Sequence, residues 1–180
     1  MLTVDLDAIA ENWRALSKRT APAECGAVVK ADGYGVGLAQ AGTALAAAGC
    51  TKFFVATIDE GIALRTALGK GPVIYVLNGL MGTDTTPDFV EFGLTPVLNT
   101  PGEIGIWADH CRNADGGAAI LSLDTGMARL GLSPVEARVL ADAPGALDGI
   151  TLDFVMSHLA CAEDATHPKN REQRSLFDEL

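Results

Sequence analysis

The sequence predicts an α/β fold built on a parallel sheet. Short apolar runs recur along the chain, bounded by Gly, Pro or Asn, which is typical of strands buried on both faces. Several of these runs are followed by a segment that carries helix-start signals. Because parallel strands need a crossover between them, this alternation indicates a parallel sheet. The predicted strands are residues 26–30, 53–57, 73–77, 94–98, 119–123 and 150–155.

Helix starts are marked by a hydroxyl residue followed three positions later by glutamate, the capping-box pattern. The pairs are Thr57 with Glu60, Thr100 with Glu103, and Ser133 with Glu136. Pro101 and Pro134 stand at the first helical position of the last two. Before the first strand, apolar residues at helical spacing predict an amphipathic helix over residues 6–19. The chain is therefore a helix followed by about six βα units.

Two architectures fit this pattern, a doubly wound open sheet and a (β/α)₈ barrel. A barrel typically needs about 250 residues and eight units, whereas this chain has 180 residues. Composition and periodicity alone leave the two open.

Composition excludes several function classes. The chain is 48% apolar with a net charge of −10, which predicts a folded domain without a nucleic-acid surface. No apolar run reaches the roughly 18 residues of a membrane span, and the acidic N-terminus does not resemble a secretory signal. The cysteines lie far apart in the chain, so neither a zinc site nor a redox pair is predicted. We therefore expect a cytoplasmic protein without metal, membrane or nucleic-acid partners.

The segment most informative about chemistry is residues 27–37, in which Lys30 ends an apolar strand. Active sites of α/β folds lie at that strand end, and a desolvated lysine can form a Schiff base with an aldehyde cofactor. Gly33, Gly35 and Gly37 would let the backbone turn beside a ligand. The spacing fits neither a P-loop nor a dinucleotide fingerprint. Physical chemistry alone favours the alternative, a lysine that extends its ammonium group to solvent.

Residues 29–37, Val-Lys-Ala-Asp-Gly-Tyr-Gly-Val-Gly, resemble the cofactor-lysine signature of the alanine racemases. Residues 4–12, 123–131 and 157–164 resemble three further segments of that family, in the same order. The resemblance implies a (β/α)₈ barrel that binds pyridoxal 5′-phosphate (PLP), and so decides between the two architectures. It also makes Lys30 the cofactor lysine.

The resemblance implies a role for each matching position. Lys30 would bind the PLP aldehyde and act as the base on one face of the substrate α-carbon. Tyr34 would contact the cofactor phosphate, and His158 would lie against the cofactor ring. Arg129 would contact the phenolic oxygen of PLP and the carboxylate of a small amino-acid substrate, which suits its forked guanidinium group.

This sequence departs from the family pattern at two places. Many members carry a carbamylated lysine seven residues before the arginine, where this chain has Ser122. Because a hydroxyl cannot carry a carbamate, another group must support Arg129. Gly33 and Val36 stand where Ala and His are frequent.

The family is about twice as long as this chain. We therefore expect residues 1–180 to be the N-terminal part of the barrel domain, with the remaining strands and a C-terminal β domain absent. The parent enzyme would interconvert L- and D-alanine in the cytoplasm for peptidoglycan synthesis, as a homodimer. The 180-residue fragment alone would be inactive. The alternatives are another PLP barrel racemase, specific for serine or broad in specificity, and a non-catalytic PLP-binding fragment.

Overall fold

The computed structural model describes residues 3–114 and 116–180, in which helices alternate with six parallel strands. The strands are β1 (Ala27–Val28), β2 (Lys52–Val55), β3 (Val73–Val76), β4 (Thr95–Leu98), β5 (Gly117–Ser122) and β6 (Ile150–Met156). The helices are α1 (Leu6–Thr20), α2 (Lys30–Tyr34), α3 (Leu38–Ala47), α4 (Ile58–Leu68), α5 (Thr86–Glu91), α6 (Pro101–Asn113), α7 (Pro134–Ala141) and α8 (Pro168–Glu179), with a 3₁₀ turn over Pro144–Leu147.

Contacts within the chain divide it into two units. The first unit comprises residues 3–77 and 87–95, and the second comprises residues 78–86, 96–114 and 116–180. None of the helices in the described ranges is long and apolar enough to cross a membrane.

The first unit is built on β1, β2 and β3, which pair in parallel in that order. Along β2 and β3 the register runs from Lys52 opposite Val73 to Val55 opposite Val76. Phe53, Val55, Ile74, Val76 and Leu64 are fully buried, so the sheet is covered by its helices as the apolar runs predict. The carboxyl ends of these strands lie at one edge of the sheet, where Lys30 follows β1.

Arg65 on α4 fixes the opposite, amino-terminal edge of the first unit. Its guanidinium group donates to the carbonyl oxygens of Phe92, Gly69, Pro72 and Gly93 at 2.8–2.9 Å. Pro72 immediately precedes β3, and Gly93 lies two residues before β4. Burial lowers the pKa of Arg65 from its ordinary value. One side chain therefore ties the end of a helix to the starts of two strands.

The second unit holds the pairing of β4 with β5 and of β5 with β6, again in parallel. Val97 lies opposite Ile120, and Ser122 lies opposite Met156. The register shifts between Ala119 and Ile120. The strand ends of β5 and β6 each lead into a loop that carries a predicted site residue.

The helix-start predictions are confirmed at two sites and half wrong at the third. Thr100 with Glu103 and Ser133 with Glu136 form complete capping boxes with proline in the first turn. Thr57 accepts from the Glu60 N–H at 3.4 Å, but the Glu60 carboxylate reaches back to the Ala56 N–H instead of the cap residue itself. The other oxygen of this carboxylate accepts from the N–H of Ala31, which lies outside α4.

The predicted strands and the first helix are confirmed with shifted ends. The largest difference is at residues 26–30, where β1 is only Ala27–Val28. Val29 still donates to the Phe54 carbonyl at 2.9 Å, but Lys30 already belongs to a tight turn. β5 begins at Gly117 rather than at residue 119, because Gly117 and Ala118 pair with β6.

Candidate active site

Lys30 lies where the pairing of β1 with β2 stops. Val29, the preceding residue, is 2% exposed, whereas the Lys30 side chain is only half-buried. Within the described ranges no carboxylate forms an ion pair with the Lys30 ammonium group. The backbone therefore places Lys30 at the carboxyl edge of the sheet, and its amine is available to a ligand.

The turn that follows Lys30 is left-handed. Ala31, Asp32, Gly33 and Tyr34 have φ values of +53°, +52°, +63° and +57°. A left-handed conformation costs roughly 1–2 kcal/mol for each residue that carries a Cβ, so only Gly33 adopts it freely. Three non-glycine residues with positive φ within four positions would not persist without contacts that hold them, and strain of this kind concentrates at functional sites.

Two carboxylates hold the left-handed turn. Asp32 Oδ1 accepts from the N–H of Leu38 at 2.8 Å, which ties the turn to the first residue of α3. Glu60 Oε1 accepts from the N–H of Ala31 at 2.6 Å, while its Oε2 accepts from Ala56 at 2.7 Å. Glu60 thereby links the end of β1 to the end of β2 and fixes the residue next to Lys30.

Tyr34 ends the turn with an exposed side chain. Its side chain is 66% exposed, and the following Gly35 has φ +86° with open space where a Cβ would lie. The Tyr34 hydroxyl is thus accessible to a ligand beside the turn. Lys30 and Tyr34 are both in the first unit, and Tyr34 lies four positions after Lys30 at the other end of the turn.

In the second unit, Arg129 lies in a loop whose base is closed by backbone hydrogen bonds. Asp124 donates its N–H to the Leu132 carbonyl, and Leu132 donates its N–H to the Ser122 carbonyl, both at 2.8 Å. The loop therefore leaves the end of β5 and returns to it, with the exposed Arg129 side chain in between.

Asp124 shapes the first half of that loop. Its Oδ1 accepts from the N–H groups of Gly126 and Ala128, each at 2.9 Å. Burial raises the pKa of Asp124, but hydrogen bonds from Ala128, Gly126 and Met127, together with the charge of Lys169, outweigh it and lower the pKa below its ordinary value. Asp124 therefore acts as a turn former in this loop.

Gly131 shows how tightly the loop closes. A Cβ at this residue would lie 2.8 Å from the Asp124 nitrogen and 3.0 Å from the Ser122 Oγ, and its φ is +108°. Ser122 itself is 7% exposed. Where the family often has a carbamylated lysine, this chain therefore has the small, buried hydroxyl of Ser122, which lies against the loop backbone.

His158 follows β6, and its side chain is exposed. The preceding Ser157 Oγ lies 2.7 Å from Thr125 Oγ1. This contact joins the loop that carries Arg129 to the loop that carries His158. The structure thus brings the segments of these two predicted residues together within the second unit, as it does for Lys30 and Tyr34 within the first.

Three residues with clear roles at these loops lie outside the predicted site. Glu60 was visible in the sequence only as half of a capping pattern, and its bond to Ala31 depends on the fold. Gln173 on α8 contacts both loops of the second unit and has no sequence signal. The third, Asp124, lies within residues 123–131, one of the segments that carry the family resemblance, but it was not among the residues predicted to bind the ligands. In the described part of the chain no group of three or more His, Cys, Asp or Glu side chains could hold a metal ion.

Taken together, these features define a class of protein: an α/β chain with parallel strands and a lysine on a carboxylate-held turn at the carboxyl edge. The chain belongs to the alanine racemase family. The family model described as the N-terminal domain of alanine racemase matches residues 4–180.

Curated relatives and solved structures agree with this assignment. The chain is 46% identical to a catabolic alanine racemase of Mesorhizobium japonicum, over 100% of this chain and 47% of that protein. It is 47% identical to the alanine racemase of Rhodospirillum rubrum, over 98% of this chain and 48% of the relative. The chain therefore spans about half the length of the curated relatives it matches.

The alanine racemase of Bartonella henselae, solved with covalently bound pyridoxal phosphate, superposes with a TM-score of 0.93 and 37% identity. The match covers 98% of this chain and 51% of that one. The alanine racemase of E. faecalis gives a TM-score of 0.86 at 25% identity, over 98% and 48%. These matches confirm the predicted fold class, an α/β chain with about six of the βα units of a (β/α)₈ barrel.

Proposed function

We propose that this chain carries the cofactor lysine of a PLP-dependent alanine racemase, which interconverts L- and D-alanine. The observation that carries the proposal is Lys30 at the end of β1, on a left-handed turn held by Glu60 and Asp32. Membership of the alanine racemase family supports the reaction and the substrate. The Bartonella henselae relative supports PLP as the cofactor.

The residues present fit the cofactor. Lys30 has no ion-pair partner among the described residues, so its amine is not committed to a carboxylate. Beside it, Tyr34 is exposed and Gly35 leaves open space. When bound, PLP supplies an electron sink that makes the α-proton of an amino acid labile.

The chain's own residues would divide the remaining work. Lys30 would hold the cofactor through its aldehyde, and the Lys30 Nζ would take or return a proton on one face of the α-carbon. The Tyr34 hydroxyl would donate to the cofactor phosphate. The Arg129 guanidinium group would donate to the substrate carboxylate and to the phenolic oxygen of the cofactor, and His158 would contact the cofactor ring. Ser122 supports the loop of Arg129 without a charge of its own.

We further propose a homodimeric cytoplasmic enzyme that supplies D-alanine for peptidoglycan synthesis. A catabolic role is the second candidate, because the Mesorhizobium japonicum relative carries that name. The two roles differ in phenotype: the gene would restore growth of a D-alanine auxotroph in the first, and would be needed for growth on alanine as sole nitrogen source in the second.

The direct test uses the protein expressed from its complete reading frame and loaded with PLP. We expect L-alanine to be converted to D-alanine, with much slower turnover of serine and lysine. Turnover of serine as fast as or faster than that of alanine would show that the protein is a racemase of broader specificity. PLP binding without turnover of any of the three amino acids would contradict the proposed enzymatic function.

A further inference from the structure

Gln173 is the buried residue of α8. It is 1% exposed, although most residues of the helix that carries it are polar. Burial of an amide is costly unless its donors and acceptor are hydrogen-bonded. Gln173 belongs to none of the sequence segments that carry the site, so its placement calls for a role.

The hydrogen bonds of the Gln173 amide lead to the two loops of the second unit. Its Nε2 donates to Thr125 Oγ1 at 3.2 Å and to the His158 carbonyl at 2.9 Å. Its Oε1 accepts from the Ala160 N–H at 2.9 Å. The reverse orientation of the amide would set oxygen against the His158 carbonyl and NH₂ against the Ala160 N–H, so these partners fix which end is which.

The same contacts connect the residues proposed to meet cofactor and substrate. Thr125 lies four residues before Arg129, and its hydroxyl also contacts Ser157 at 2.7 Å. The His158 backbone is held directly. One turn earlier on α8, Asn170 donates to the carbonyls of Cys161 and Asp164, which secures the rest of the second loop.

We propose that Gln173 is a positioning residue that sets the spacing between the loop of Arg129 and the loop of His158. The proposal rests on the proposed function and adds a residue to it. Gln173 does not touch the reacting atoms. It acts by holding two loops that would otherwise move independently, and small displacements of positioned groups cost about 100-fold in rate at well-organised sites.

The test compares Gln173→Met, which keeps the shape without the amide, with Gln173→Glu, which keeps the acceptor for Ala160 but loses both donors. The exposed neighbour Glu172→Gln serves as the matched control. All variants are made in the protein expressed from its complete reading frame. The first readout is the affinity of the apoprotein for PLP, measured by titration of its absorption and fluorescence. The second is the division of any loss between KM for alanine and kcat.

For both Gln173 variants we expect weaker PLP binding and a KM for alanine raised roughly tenfold, since the groups that contact the ligands are displaced. Borohydride should still attach PLP to Lys30, which lies in the other unit. A role in folding alone would lower kcat per mole of protein and leave KM and PLP affinity unchanged, and that result would overturn the proposal. So would an equal effect of Glu172→Gln.

Thr125→Val provides a second route if the Gln173 variants do not fold. It removes the hydroxyl that accepts from Gln173 Nε2 and should raise KM in the same direction, whereas Thr125→Ser should restore the parent values. If Thr125→Val left KM unchanged and Thr125→Ser did not keep the parent values, the proposal would be rejected. Failure of the parent protein to bind PLP or racemise alanine would instead reject the proposed function, so the two outcomes are distinguishable.

Discussion

The carboxylate of Glu60 accepts a 2.6 Å hydrogen bond from the backbone N–H of Ala31, the residue that follows Lys30. Its other oxygen is held by the N–H of Ala56 at the end of β2. One side chain therefore fixes the strained turn beside Lys30, the proposed cofactor lysine, to a neighbouring strand. This relationship makes Glu60 a positioning residue for Lys30.

Replacement of Glu60 by Gln tests this role. Glutamine has one acceptor for two N–H groups, so one of them faces an NH₂ group. We expect the free energy of unfolding to fall by about 1–3 kcal/mol and PLP binding to weaken. Chemical denaturation and PLP titration measure the two effects. Asp59→Asn, at the exposed neighbour in the same helical turn, removes the same charge and should change neither; matching behaviour of the two variants would contradict the account.

Asp124→Asn should loosen the loop of Arg129. The amide can still accept from Gly126 and Ala128, but neutral hydrogen bonds are weaker than charged ones by about 1 kcal/mol. Amide hydrogen exchange at these two residues should become faster, while exchange in β2 stays the same. Unchanged exchange at Gly126 and Ala128 would show that the carboxylate does not hold the loop.

The difference in stability between the parent protein and Asp124→Asn should depend on pH in a defined way. Because the folded pKa of Asp124 lies below its ordinary value, its stabilising contribution is present above that ordinary pKa of about 3.9 and is lost as pH falls through the folded pKa. The difference in unfolding free energy between the parent and Asp124→Asn should be constant near neutral pH and shrink below about pH 4. If the difference in unfolding free energy instead grew below about pH 4, the assigned role of the Asp124 carboxylate would be contradicted.

Arg65→Lys should destabilise the first unit without affecting PLP chemistry. A single ammonium group cannot reach the four carbonyls that Arg65 contacts at the amino-terminal edge of β3 and β4. We expect a loss of about 1–3 kcal/mol, with borohydride labelling of Lys30 unchanged. Lys70→Ala, at an exposed position near the end of the same helix, is the control.

Ser122 leads to a prediction about carbon dioxide. A buried hydroxyl cannot form a carbamate, so turnover should be the same in buffers depleted of and enriched in CO₂. A carbamate on another lysine beside Arg129, seen in a structure of the complete protein, would show that the support has moved rather than vanished.

The strand pattern, the helix starts and the position of Lys30 at a strand end were predictable from the sequence, because they depend on local periodicity and capping. The left-handed turn at residues 31–34 was not, since Ala31, Asp32 and Tyr34 disfavour it and only contacts with Leu38 and Glu60 hold it. Gln173 was missed for a related reason. Its helical segment is mostly polar, and only the fold shows that this one amide is buried between two loops.

The most direct measurement is the site of PLP attachment. PLP is added to the protein expressed from its complete reading frame, borohydride fixes it covalently, and peptide mass spectrometry locates the modified lysine. The account predicts modification of Lys30, lost in Lys30→Ala together with racemisation. Stoichiometric modification of Lys18, Lys52, Lys70 or Lys169 instead, or racemisation that persists in Lys30→Ala, would contradict it.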